Sequence, residues 1–212
     1  MPTIEEIKSK VLELCEEREP KGYLINPLLK ELNSIVNEVY GGDSPASLFN
    51  QYYDYCFIAQ AYEKIGRFAL AANFYVKAIQ GGYQYFIATQ DAPEQIDKVY
   101  YRALLARNFY VDDDCLDIEE MVRGTGLIEE SSRFKTYEMV MNRRRTLKHD
   151  PVEMTDKYLN VIDEVEEEIE QVRMNSGRGG CHELWLLKTE ALAKRGIRWR
   201  SPAILNPRVR FD

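Results

Sequence analysis

Between Tyr52 and Ile79 the chain reads YYDYCFIAQAYEKIGRFALAANFYVKAI, and no other stretch limits the possible folds as much. Apolar residues recur at three- and four-residue spacing on both sides of Gly66, which predicts two helices joined by a tight turn. Ala59 and Ala71 are small where the helices meet, so the two backbones can approach closely. Tyr55, Tyr62, Phe68 and Tyr75 are large enough to fill the space around them. Such a pair cannot bury all of its own apolar faces. It needs neighbours.

The rest of the chain supplies them. Thr3 and Glu6 form a capping box ahead of Ile4, Ile7, Val11 and Leu14. Asn26-Pro27 predicts a cap followed by proline at the first helical position, in a helix stopped at Gly41-Gly42. Ser44-Pro45 predicts the start of the helix that Gly66 ends, and the next helix is expected to stop at Gln80, before Gly81-Gly82. The following YQYFIATQ, residues 83–90, reads either as a short strand or as an irregular segment. Asp91-Ala92-Pro93 predicts a helix ending near Tyr110, and Asp112 to Asp114 cap a shorter one ending at Gly124. Two longer helices, about 127–148 and 151–175, are expected to hinge at Asp150-Pro151. In the second, Tyr158, Ile162, Val165, Ile169 and Val172 make a narrow seam suited to coiled-coil-like packing. The acidic residues between Asp163 and Glu170 form a solvated face. A last helix, about 181–195, closes at Gly196, and the remaining arm is expected to pack in extended form. With no Asn-Gly or Asp-Gly hairpin signal, the fold class is all-α.

The 52–79 segment resembles a tetratricopeptide repeat (TPR). Tyr55 stands at the first large aromatic position, then Ile58, Ala59 at the small position and Tyr62; Gly66 is at the turn, followed by Phe68, Ala71, Tyr75 and Ala78. The proline that closes the family pattern is missing, with Gly81-Gly82 near its place. A frame shift of about 34 residues in either direction recovers no second good match, although KVYYRALLARNFY has the right kind of aromatic and alanine content. The resemblance implies antiparallel hairpins stacked in a right-handed array of about eight or nine helices over residues 1–175, with the Gly-rich loop, final helix and basic arm of 176–212 expected to pack on the same domain. It implies a non-catalytic module that binds a protein or peptide along a groove lined by the first helix of each hairpin. Tyr53, Cys56, Gln60 and Glu63 are the residues it turns toward ligand. The competing expectation is that the N-terminal helices cover them.

Composition removes many alternatives. At 212 residues, roughly 70% of the unfolded surface can be buried, and 45% hydrophobic content argues against global disorder. No apolar run reaches the ~18 residues needed to span a bilayer, and MPTIEEIKSK lacks a signal-peptide pattern, so a cytoplasmic protein without a membrane partner is expected. Cys15, Cys56, Cys115 and Cys181 form no C-x-x-C pair, and His149 and His182 have no Glu three residues before them. Neither zinc nor di-iron chemistry is indicated; no metal and no cofactor is expected. Phosphate-loop, dinucleotide and nucleophile-elbow motifs are absent. An enzyme acting through ordinary carboxylates stays open, since 35 Asp and Glu offer too many candidates to sort.

The C-terminal region departs from the acidic whole. From Arg173 to Asp212 there are nine Lys/Arg against three Asp/Glu, within a chain of net charge −7. In NSGRGGCHELW, Arg178, Gly179 and Gly180 precede a helix N-terminus and make a candidate anion site; a linker beside a buried cysteine is the alternative. Arg198, Trp199, Arg200, Arg208 and Arg210 form a basic arm with an interleaved aromatic. That pattern suits nucleic acid, and Arg143-Arg144-Arg145 would be a second basic patch. It also suits a clasp on the acidic helix of 163–170, within the molecule or in a partner subunit. Net acidity opposes long-range attraction to nucleic acid. Asp112-Asp113-Asp114 lacks the glycine and glutamate of a calcium loop. A homo-oligomer stays possible.

Overall fold

A computed structural model describes residues 2–110, 115–142, 147–176 and 180–211, with the side chains of residues 175 and 176 outside the description. Those residues are helical and contain no strand; Tyr110 and His149 form an isolated bridge. The chain divides into two compact units, residues 1–108 with 113–144, and residues 109–112 with 145–212. The boundary therefore falls near 144 rather than at 175. In the second unit the segment after Asp150 buries its apolar seam against the last long helix.

In the first unit α1 (Ile4–Cys15) starts with the expected capping box: the Thr3 N–H donates to Glu6 Oε2 at 2.7 Å and the Glu6 N–H to Thr3 Oγ1 at 3.2 Å. Helix α2 (Gly22–Val39) begins earlier than Asn26-Pro27 suggests, so Pro27 lies inside it. Asn26 is not a cap but a buried acceptor for the Tyr62 hydroxyl, at 2.8 Å. Helix α3 (Pro45–Lys64) is capped by Ser44, as its sequence indicates. It closes on Gly66, whose φ of +71° few side chains adopt. The Gly66 N–H reaches the Glu63 carbonyl at 3.0 Å and the Arg67 N–H the Tyr62 carbonyl at 2.9 Å, a Schellman closure. Ala59 and Ala71 are fully buried.

Helix α4 (Phe68–Thr89) corrects the expectation for Gly81-Gly82 and for residues 83–90. It runs straight through both glycines and ends where Gln90 turns left-handed. The second of them is a contact position. A Cβ at Gly82 would lie 3.2 Å from the Tyr52 ring and 3.3 Å from both Ile96 and Pro93 side chains. At this place α4 touches its neighbours nearly backbone to side chain, and a Cβ would crowd three side chains at once.

Helix α5 (Ile96–Arg107) starts after Pro93 and stops before Tyr110; α6 (Leu116–Val122) ends before Gly124, and its expected cap lies outside the described residues. Helix α7 (Glu130–Asn142) packs on α5 and is shorter than the 127–148 expected, the Arg143–Arg145 patch being undescribed. The order of packing is sequential: α1 on α2, α2 on α3, α3 on α4, α4 on α5, with α1 also against α3.

The second unit breaks the expected 151–175 helix into three. A 3-10 turn (Pro151–Met154) leads to α8 (Asp156–Leu159) and then to α9 (Ile162–Ser176). Thr155 interrupts the run by capping α8 with its own hydroxyl. Tyr158, Ile162 and Val165 pack with Ala191 and Leu192 of α10 (Cys181–Lys194) and with Ile197 and Trp199 beyond it. Gly196 closes α10 with a second Schellman pair, Gly196 N–H to Ala193 and Ile197 N–H to Leu192. A short α11 (Pro202–Leu205) follows instead of extended chain.

Candidate functional site

In the first unit α1, α3 and α5 border a cleft of about 620 Å3. From α1 come Val11, Leu12 and Cys15; from α3 come Phe57, Gln60, Ala61, Glu63 and Lys64; from α5 comes Arg102, with Glu16 and Glu17 completing the rim. All three helices present side chains to this one concavity. The apolar part is Val11, Leu12, Phe57 and Ala61. The polar part carries both signs of charge.

Glu63 organises that polar part. Tyr75, fully buried on α4, donates its hydroxyl to Glu63 Oε2 at 2.9 Å. Arg102 donates to the Tyr75 oxygen at 3.2 Å and lies 3.4 Å from Glu63 Oε2. Burial pushes the Glu63 carboxyl up, against the hydrogen bond from Tyr75 and the charge of Arg102. The guanidinium is thus held in place from one side, while Arg102 keeps about half of its side-chain surface in water. A positioned, half-exposed cation beside an apolar floor suits ligand binding. The Glu63 carboxyl is joined to a tyrosine and an arginine, not to a second carboxylate, so the paired-carboxylate arrangement of acid–base enzymes is not formed there.

Helix α1 is a wall of the cleft. Ile7 and Val11 pack into the core, and Lys8 pairs with the buried Asp54 of α3 while lying 5.8 Å from the centre of the Phe57 ring. Burial raises the Asp54 carboxyl, opposed by Lys8.

The four residues expected on one ligand face separate. Gln60 and Glu63 line the cleft. Cys56 is buried, its thiol pushed up to about 12 by desolvation, and is not presented to ligand. Tyr53 sits toward the start of α3 in an aromatic group with Phe49, 4.7 Å between ring centres. The split arises because Tyr53 and Gln60 are two turns apart, about 10 Å along the helix, and α1 covers the stretch between them near Asp54. Sequence reading missed Phe57 and Arg102: Phe57 lies three residues before Gln60 and four after Tyr53, a helical spacing that points to it, whereas only three-dimensional placement identifies Arg102.

In the second unit the arm is engaged. Trp199 is 6% exposed and donates its indole N–H to Glu153 at 2.6 Å, so it is a core residue rather than a stacking platform. Arg200 donates to Asp150 through its backbone N–H at 2.8 Å and through Nε at 3.0 Å. The arm's polar contacts therefore go to the turn at 150–153 and not to the acidic face of α9, whose apolar side it packs on through Ile197 and Trp199; Glu164 and Glu168 are bridged instead by Arg195. Burial opposes ionisation of Asp150 and Glu153. Arg200 and two backbone N–H groups outweigh it at Asp150, and His149, Lys188 and Trp199 outweigh it at Glu153, so both carboxyls stay below their usual range. Asn206 brackets Lys148, accepting from its N–H at 2.8 Å and donating to its carbonyl at 3.0 Å. Arg198, Arg208 and Arg210 are exposed and make no ion pair among the described residues.

Of the candidate anion site, Arg178 and Gly179 lie outside the described residues, and Gly180 is the N-cap of α10. His182, one residue into α10 from Cys181, packs against Trp185 and Phe211, its Nε2 3.3 Å from the Phe211 carbonyl oxygen. Among the described residues no cluster of three His, Cys, Asp or Glu is arranged for a metal ion, and no helix is long and apolar enough to cross a membrane. No family model matches the chain, and no curated protein or solved structure matches it.

Proposed function

We propose that this chain is a non-catalytic helical module of TPR-like construction that binds a protein or peptide in the cleft between α1, α3 and α5. One observation carries the reading: all three helices present side chains to one concavity, with Gln60 and a pre-positioned Arg102 above an apolar floor. Binding a peptide there exchanges water on Val11, Leu12 and Phe57 for apolar contacts. The Gln60 amide supplies a donor and an acceptor for main chain, and Arg102 adds a fixed charge. The sequential packing of helices agrees with stacked hairpins.

Selection from a displayed random-peptide library, followed by NMR titration of the isolated chain, tests this. Selected peptides are expected to shift the Gln60 side-chain amide and the Arg102 Nε–H resonance. Gln60→Ala or Arg102→Ala is expected to weaken them about tenfold, the size of one charge-assisted hydrogen bond. Peptides that leave both resonances unmoved refute the cleft as the site.

Nucleic-acid binding by the arm has less support. Trp199 is packed inside the second unit and Arg200 is committed to Asp150, which leaves Arg198, Arg208 and Arg210 for phosphate contacts.

A further inference from the structure

At the far end of the same hairpin, away from Gly66, a shallow hollow of about 330 Å3 opens between the start of α3 and the end of α4. Pro45, Ala46, Phe49, Asn50, Tyr85 and Thr89 line it. The Phe49 and Tyr85 rings form a corner, 5.4 Å between centres and tilted by 52°, and Tyr53 meets Phe49 edge-on. Phe49 is 38% exposed and Tyr53 37%. Neighbouring aromatic rings left in water form a patch of the kind that marks recognition surfaces, and their faces carry negative quadrupole charge.

The surroundings have the same sign. Asp43 immediately precedes the Ser44 cap, and the Asp91 N–H donates to Thr89 Oγ1 at 3.2 Å. Burial and then the nearby Glu94 carboxylate push the Tyr53 phenol up. None of these three carboxylates is ion-paired among the described residues, and no basic side chain lines the hollow. The positive end of the α3 dipole lies beside the negative end of α4 in the antiparallel hairpin, so the two offset each other and the side chains set the potential.

We propose that this hollow binds an arginine side chain presented by a partner polypeptide. A planar, weakly hydrated guanidinium stacks on one ring of the corner while its edge N–H groups donate to the Asn50 side-chain oxygen, and the neighbouring acidic residues add attraction. A lysine ammonium is more strongly hydrated and has no flat face to offer. The site shares no lining residue with the cleft, so it stands or falls independently of the function proposed above.

The test titrates the full chain with the peptide Gly-Arg-Gly-Arg-Gly and with its citrulline counterpart, which keeps the shape and removes the charge. Aromatic resonances of Phe49 and Tyr85 and the Asn50 amide are followed by NMR. The arginine peptide is expected to bind at least tenfold more tightly than the citrulline peptide, and more weakly as salt rises. Phe49→Leu and Tyr85→Leu, both at partly exposed positions, are expected to weaken it about fivefold or more with unchanged circular dichroism. Equal binding of the citrulline peptide overturns the proposal without any variant. Equal binding of a lysine peptide overturns the guanidinium assignment. Binding indifferent to Phe49→Leu and Tyr85→Leu reduces the effect to general attraction by an acidic chain. Concentration-dependent shifts without peptide, abolished by Arg208→Gln with Arg210→Gln, make a second copy the occupant and overturn the assignment to a separate partner.

Discussion

The Tyr62 hydroxyl donates to the Asn26 side-chain oxygen at 2.8 Å, with both residues at most 2% exposed, and ties α3 to α2 across 36 positions of sequence. A buried amide oxygen that loses its donor bears the full desolvation penalty of that group. Tyr62→Phe is therefore expected to lower stability by about 1–3 kcal/mol in urea unfolding. A loss of only a few tenths would show that the bond is structurally idle.

The adjacent glycines of α4 are expected to respond in opposite directions. Around Gly82 the three closest side chains come from α3, from the loop before α5 and from α5 itself, so they cannot all retreat together. Gly82→Ala should cost about 1–3 kcal/mol from overpacking. At Gly81 the nearest atoms stand 4.0 Å from the would-be Cβ, an ordinary contact. Gly81→Ala should then gain up to about 1 kcal/mol of helix propensity. Thermal melts of the two variants decide this, and a fall for both would contradict the account of Gly81.

The closure of the arm on Asp150 and Glu153 gives the second unit an acid-sensitive component. Both folded carboxyls lie below their ordinary range, so in acid the unfolded chain takes up protons that the folded unit does not. Their contribution is complete above the ordinary carboxylate range, at roughly pH 5 and higher, and fades as pH falls through that range toward the lowered values. In a Trp185→Phe background, Trp199 fluorescence should report unfolding at progressively lower urea as pH drops from 6 to 3. Asp150→Asn should flatten that dependence and lower stability at pH 7. A dependence as steep as the parent's would mean that Asp150 does not carry it.

Thiol chemistry should follow burial. With Cys56 pushed up to about 12, roughly one molecule in ten thousand carries its thiolate at pH 8. Cys56 and the fully buried Cys115 are expected to resist iodoacetamide until the chain unfolds, while the half-buried Cys181 is modified in the native protein. Burial also raises Cys15, which should react more slowly than a free thiol. Peptide mass spectrometry after a timed exposure measures all four.

How much of this was legible in the sequence depended on whether the signal was local. Thr3 with Glu6, Ser44-Pro45, Gly66 and Gly196 were readable because caps and left-handed closures are satisfied by their immediate neighbours. Asn26-Pro27 and Gly81-Gly82 misled for the opposite reason. Each resembles local punctuation, yet each answers to a distant partner: Tyr62 for the asparagine, Tyr52 and Ile96 for the second glycine. Within the cleft, Gln60 and Glu63 were expected from the resemblance of residues 52–79 to a tetratricopeptide repeat. Arg102 could not, since Tyr75 and Glu63 fix it from two other helices. Trp199 between two arginines looked like a surface stack. The carboxylate that draws its indole inward, Glu153, lies 46 positions earlier in the chain.

The tail's part in the second core also bears on the order of synthesis. Ile197 and Trp199 complete the apolar cluster around Tyr158 and Val165, and Asn206 locks Lys148. On the ribosome, α3 and α4 can pack on each other as soon as α4 emerges. The second unit must wait with Tyr158, Ile162 and Val165 uncovered until residues 197–206 leave the exit tunnel. During that interval the apolar cluster is open to a chaperone or a protease.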